Sequence, residues 1–324
     1  MNSPPTRAPS SPASDDAAAI RRLLFVSDIA VAHVDELPPA VRAVIDAADT
    51  VNVLSPALPG RLAWLADDVD WFRDLADERL NTVLDHMHSI GARATGAAIR
   101  GSLLTVIADA AGEFEPDHIL IAVHVSDHAN WQEHKLIEHV AQRFGVPVTT
   151  FAVDRRGRTS PADGPVVLCY DGSEDARRAI EYAGRLLDGR TALVVTVWQP
   201  TSIPEGLGFA GASDGMVDFV ELDRAAAERG RRVADAGVHI ARRSGLRAEP
   251  APIKATGRVW ETIIEFADRH DAAMIVMGSR GLTGLTAMVR GGVSSALVHH
   301  ADRPTLLIRQ PRGASRLGLA PRLN

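Results

Sequence analysis

The chain has 324 residues, 46% of them hydrophobic and 23% charged, enough for two soluble globular cores rather than one. With 41 acidic residues against 35 basic ones the formal net charge is −6, which argues against nucleic acid or an anionic membrane surface as the main partner. A single cysteine, Cys169, excludes an intrachain disulfide and points to a reducing, cytoplasmic setting, and no apolar run approaches the ~18 residues of a transmembrane helix.

In chain order, residues 1–20 are rich in Ser, Pro and Ala without an apolar core, which predicts a disordered tail rather than a signal peptide. Leu23–Asp28 is an apolar strand ending in Asp, and Val166–Asp171 repeats it near the middle of the chain. A second apolar run follows in each half, at 118–123 and 272–277, and each half ends on a Pro-containing strand, 146–151 and 303–308. Two copies of one domain explain this better than one large fold. In the first copy, 55–72 reads as a long connection whose Trp64, Trp71 and Phe72 are expected to pack against something. The polar, turn-rich stretch 154–164 is the predicted linker.

The second copy alternates cleanly. After strand 166–170 comes a helix over 174–187, with Ala176, Ala179, Ile180, Ala183, Leu186 and Leu187 on one face and Glu174 and Asp175 in its first turn. Strand 192–197, a glycine-rich loop at 199–218, a helix at 217–244 with Gly245 as its cap, and strand 247–254 follow. Helix 259–270, strand 272–277, helix 293–302 and strand 305–308 complete it. Continuous apolar strands with intervening helices predict an α/β fold of two tandem, doubly wound parallel-sheet (Rossmann-like) domains. The divisions are 1–20 tail, 21–153 first domain, 154–164 linker, 165–310 second domain and 311–324 flexible tail. The arginines toward the C-terminus, Arg309, Arg312, Arg316 and Arg322, are expected to be solvated.

The densest functional pattern lies near the end. The run Ala272–Met277 breaks into Gly278 and Gly281; nine residues later come Gly291 and Gly292, and Val293-Ser294-Ser295 opens a helix. Glycine allows turns that a Cβ forbids and lets main-chain N–H groups close on an anion. A helix N-terminus adds unpaired N–H groups and the positive end of the dipole. Asp171, Val197 and Met277-Gly278 all stand at predicted carboxyl ends of strands, where such sheets bind ligands.

Asp171-Gly172-Ser173 after the first strand, with Gly278-x2-Gly281-x9-Gly291 after the fourth, resembles the universal stress protein family over about residues 165–310. The first half is similar to a second copy in strand pattern only, so the whole looks like a tandem member. The resemblance implies ATP or another adenine nucleotide, with magnesium a candidate companion ion. It implies Cys169 and Asp171 beside the adenosine and Val197 against the base. Met277, Gly278, Arg280 and Gly281 would line the phosphate side, and Gly291, Gly292, Val293 and Ser294 would hold the distal phosphates. Gly292 stands where the family usually has Ser or Thr. The lost hydroxyl donor is worth roughly 1.5–3 kcal/mol, about one to two decades in affinity. The first half keeps Asp28 but has Ile29-Ala30 in place of Gly-Ser and no glycine across 124–134, so it is expected not to bind ATP in the family manner.

His118, His124, His128, His134 and His139 crowd one stretch and read as surface histidines on a degenerate loop rather than metal ligands; His299-His300 read as ordinary. No nucleophile elbow, Walker A lysine or base–nucleophile pair is present. The expectation is therefore a nucleotide-binding stress-response regulator, with a slow Mg-dependent ATPase or a nucleotide-free interaction scaffold as alternatives. The final strands, 146–151 and 304–309, are candidates to pair between domains or between chains.

Overall fold

A computed structural model gives the fold and describes residues 20–27, 37–57, 69–100, 103–124, 140, 143–153, 159–200, 219–278 and 292–308. The tail 1–19, Asp28, Trp64, residues 154–158 of the linker, the 201–218 stretch and the tail beyond 308 lie outside the described residues.

The first half runs β1 (Ile20–Val26), α1 (Pro39–Asp46), β2 (Ala48–Ala57), α2 (Val69–Ser89), β3 (Ala94–Arg100), α3 (Leu103–Phe114), β4 (His118–His124) and β5 (Val148–Val153). The second runs β6 (Val166–Cys169), α4 (Glu174–Leu186), β7 (Thr191–Trp198), α5 (Phe219–Arg243), β8 (Arg247–Lys254), α6 (Val259–Arg269), β9 (Met274–Gly278), α7 (Val293–His300) and β10 (Thr305–Ile308). All ten strands form one sheet in the order β3-β2-β1-β4-β5-β10-β9-β6-β7-β8. Within each half every pairing is parallel, and the order counted from its own first strand is 3-2-1-4-5, the doubly wound pattern.

The halves meet at one antiparallel pair, β5 with β10, where Thr305 faces Thr150 and Leu307 faces Val148. The pairing expected of the final strands is thus made within the chain. Because that pair is antiparallel, the parallel strands of the two halves point in opposite directions, and their carboxyl ends lie at opposite edges of the sheet.

Burial explains the long apolar strands. Leu24, Val26, Ile119, Ile121, Val148, Ile275, Met277 and Leu307 belong to one core that crosses the seam on one face of the sheet. On the other face, Phe25, Leu120 and Phe151 pack in one cluster and Leu168, Val276 and Leu306 in another. Both faces are covered, so these strands have no polar alternation. Helix α4 forms because Ala176, Ala179, Ile180 and Ala183 share a buried face while Ser173 Oγ accepts the Ala176 N–H at 3.2 Å as its N-cap. Ala40 of α1 packs into the second half's cluster, and Leu186 of α4 lies against the first half's, so helices as well as strands bind the halves together.

Three expectations shift. The 55–72 connection is shorter than predicted: residues 55–57 extend β2, and α2 begins at Val69, so Trp71 and Phe72 sit in a helical first turn. The strand predicted at 146–151 is β5 at Val148–Val153, displaced beyond Pro147, which cannot donate to a ladder. His118, read as a surface histidine, is fully buried at the start of β4.

Truncating Leu120 (0% exposed) to Ala should cost about 2–5 kcal/mol, whereas Leu222→Ala (40% exposed) should change stability by less than about 0.5 kcal/mol. Urea unfolding of the two variants measures this; equal losses would contradict the assigned core.

Candidate functional site

In the second half the strand order reverses between β6 and β9, which are neighbours with Leu168 opposite Val276. A recess opens there at the carboxyl ends of both strands. Cys169 and Asp171 come from the end of β6, Ala176 from α4, Met277 and Gly278 from β9, and Val293, Ser294 and Leu297 from α7.

Each wall has a local cause. Gly172, with φ +85, takes the left-handed turn out of β6. The Ser173 N–H then donates to Asp171 Oδ1 at 2.9 Å, which fixes the carboxylate over the turn, and Ser173 caps α4. A Cβ on Gly278 would lie 2.6 Å from Ala176 N and 2.6 Å from the Asp175 carbonyl carbon. The end of β9 therefore abuts the first turn of α4, and only glycine fits. Gly292 is different: its φ of −65 suits any residue, and a Cβ there would meet only Ser294 Oγ at 3.8 Å.

Two helix N-termini face the recess, and they differ in charge. That of α4 is capped by Ser173 and carries Glu174 and Asp175. That of α7 has Gly292 as its N-cap, no side-chain cap and no acid in its first turn. The N–H groups of Val293, Ser294 and Ser295 have no acceptor within the helix, and the positive dipole end lies at the recess. The geometry offers an anion seat at α7 and a hydrogen-bond acceptor at Asp171.

The titratable groups around the described part of the recess are shifted by burial and by ion pairing. Burial, then the Asp171 carboxylate, pushes the Cys169 thiol up to about 12, so it stays protonated at neutral pH. Burial and Asp171 also raise the Tyr170 phenol. The Glu174 carboxyl is pulled down to about 2, chiefly by its hydrogen bonds with Arg177, with Arg178 assisting. Arg177 also pairs with Glu181.

Of the residues singled out from sequence, the recess gathers Cys169, Asp171, Met277, Gly278, Val293 and Ser294, and Gly292 immediately precedes its α7 wall. Val197 is half-buried one strand away, packed against the shared core on the face that holds Cys169, and it is not a wall of the recess. Arg280, Gly281 and Gly291 lie outside the described residues. Both ends of that segment, Gly278 and Gly292, are at the recess. Sequence reasoning missed Ala176 and Leu297, although helical spacing signals both: Ala176 is three residues past the Ser173 cap, and Leu297 is four past Val293.

In the first half, Phe25 pairs with Leu120 as Leu168 pairs with Val276, so Ala122 stands where Gly278 does. His124 ends β4, while His128, His134 and His139 lie outside the described residues. Among the described residues no group of three His, Cys, Asp or Glu could hold a metal ion, and no helix is long and apolar enough to cross a membrane. His300 stacks on Trp260 at 4.5 Å, and His299 Nε2 is 3.4 Å from Ser295 Oγ.

Gly278→Ala should lower stability by about 1–3 kcal/mol without any ligand, because the new methyl meets backbone, whereas Gly292→Ser should be neutral or gain a few tenths. Thermal unfolding of the apo proteins checks the ranking; the reverse order would contradict the packing described.

The profile of the universal stress protein family matches residues 164–309. A universal stress protein in the QAH/OAS sulfhydrylase 3' region of Thermus aquaticus is 32% identical over 146 residues, 44% of this chain and 97% of that protein. YxiE, a universal stress protein of Bacillus subtilis (strain 168), is 26% identical over 155 residues, again 97% of its length. Among solved structures, a universal stress protein from Archaeoglobus fulgidus DSM 4304 shares the fold at a TM-score of 0.56 and 18% identity, over 90% of this chain and 97% of that one. The functionally unknown protein PA1789 of Pseudomonas aeruginosa PAO1 shares it at 0.51 and 16%, over 92% and 95%. With a relative matched over nearly its whole length, the glycine-marked switch point and the 3-2-1-4-5 sheet have a common source: the chain belongs to the universal stress protein family.

Proposed function

We propose that the second half binds an adenine nucleotide, ATP above others, and that the protein acts as a cytoplasmic stress-response regulator through that site. The observation that carries the reading is the uncapped N-terminus of α7 facing the Asp171 carboxylate across the switch-point recess. Nucleotide chemistry matches those two ends. Phosphate oxygens suit the N–H groups of Val293, Ser294 and Ser295, and ribose hydroxyls suit a carboxylate that accepts several hydrogen bonds. The acids in the first turn of α4 disfavour phosphate there, which gives the nucleotide one orientation.

Cys169 is proposed beside the nucleoside, and Val197 toward the base, one strand beyond the recess. Met277, Gly278, Arg280 and Gly281 are proposed on the phosphate side, and Gly291 and Gly292 at the distal phosphates, where backbone N–H groups donate to phosphate oxygens. Magnesium would enter on the phosphates, which it ligates with water in many nucleotide sites. The domains are assigned as 21–153 and 165–310, with the nucleotide in the second alone. The Ala122 methyl at the place of Gly278, and the absence of glycine from 124–134, support that division. The protonated Cys169 and the ion-paired Glu174 favour binding over hydrolysis.

Isothermal titration of the full chain should give one ATP per chain. Asp171→Ala should weaken it by about 10–100-fold, from a lost charge-assisted hydrogen bond, and Gly292→Ser should tighten it by about tenfold. Two equivalent sites, or no heat at millimolar ATP, would overturn the reading, the latter in favour of an interaction scaffold.

A further inference from the structure

Beside the seam between the halves, a side-chain hydrogen-bond cluster joins β4 and β5 of the first half to α4 of the second. His118 is fully buried, with Nδ1 2.6 Å from the Tyr182 hydroxyl on α4 and Nε2 2.8 Å from Thr149 Oγ1 on β5. Tyr182 belongs to the second half, so the imidazole spans the junction.

The repeat supplies an internal control. Aligning Leu23–Asp28 with Val166–Asp171 sets His118, opposite Leu23, in the place of Met274, opposite Val166. On the next strand Ile119 faces Val148 and Ile275 faces Thr305, so Thr149 occupies the place of Leu306. Met274 and Leu306 are buried and apolar. The fold therefore accepts an apolar pair at these positions, and the first half carries a polar one. Burying polar groups costs stability unless they are bonded; in return the bonds are satisfied in one arrangement of the parts.

We propose that His118, Tyr182 and Thr149 form an acid-sensitive latch: the neutral imidazole holds the halves together beside the β5–β10 seam, and protonation loosens it. A neutral ring donates from one nitrogen and accepts at the other. A doubly protonated ring donates from both, so both hydroxyls must accept and their own protons must find other acceptors. The surrounding charges do not rescue the cation. Asp117, one residue before, accepts the backbone N–H groups of Arg21 and Arg22 at 3.0 and 3.1 Å. Arg185 lies over the Tyr182 ring, 5.7 Å from its centroid, and repels a second cation. On α1, whose Ala40 packs in the same cluster as α4, Arg42 and Asp46 pair with each other at 2.7 Å. Burial, then Asp117, raises the Tyr182 phenol, which stays neutral.

Burial holds the ring's pKa down at about 3, against 6.5 in the unfolded chain. The folded value is the lower one, so this stabilisation is complete above pH 6.5 and is lost as the pH falls from there toward 3. Across that window the group alone reduces the folding equilibrium about tenfold per pH unit.

The test is urea unfolding of the full chain at pH 7.5, 6.5 and 5.0. The wild type is compared with His118→Gln and with His118→Met combined with Tyr182→Phe, which copies the apolar pattern of the second half. Between pH 7.5 and 5.0 the wild-type equilibrium should fall about thirtyfold more than that of either variant. At pH 5.0 its β5 and β10 amides should exchange faster relative to the double variant than at pH 7.5. Parallel pH dependence in all three proteins would overturn the latch. So would a folded-state His118 ring that titrates at pH 6 or above by NMR, a measurement that needs no variant.

Discussion

The contact between the end of β9 and the first turn of α4 is the constraint on which the recess depends. A strand end that comes within a Cβ's reach of Ala176 N and the Asp175 carbonyl carbon admits only Gly278. The same turn carries Asp171 and Ser173, whose hydrogen bonds start α4 at that place. The Asp-Gly-Ser turn and the distant glycine are therefore two sides of one contact. The contact brings the carboxyl ends of β6 and β9 together, and α7 then returns with its N-terminus at the same recess. Chemical polarity follows from packing: one helix start carries acids and a serine cap, and the other, among the described residues, has neither.

The second constraint is the seam. One antiparallel pair, β5 with β10, turns two five-stranded sheets into one of ten strands, and a common core runs beneath it on one face. The opposite strand directions set the two switch points at opposite edges. With Ala122 in the first half where the second has Gly278, the repeat keeps its architecture while the residues at its two switch points diverge. The polar cluster at His118 shows the same divergence in the core, where an apolar pair in one half is a hydrogen-bonded set in the other.

Much of this was legible in the sequence. Strands β8 and β10 fall at the predicted residues, and helices α4 and α6 differ by one residue at one end, because apolar periodicity marks both helices and an acidic first turn adds to it in α4. The first half was less legible. Proline, glycine and aromatic residues at 55–72 suggested a loop, whereas β2 and α2 take both ends of that stretch. The burial of His118 carried no local signal, since its partners Thr149 and Tyr182 lie 31 and 64 residues away. At the site, residue types gave the right strand ends, but the packing reason for Gly278 and the tolerance at Gly292 emerge only from the approach of β9 to α4.

The central claim is that the open start of α7 takes the phosphates. Amide chemical shifts of the full chain recorded during ATP addition test it most directly. The account predicts the largest changes at Val293, Ser294 and Ser295, with smaller ones at Glu174 and Asp175. Changes concentrated at the first turn of α4 or around Ala122, with α7 unmoved, would contradict it.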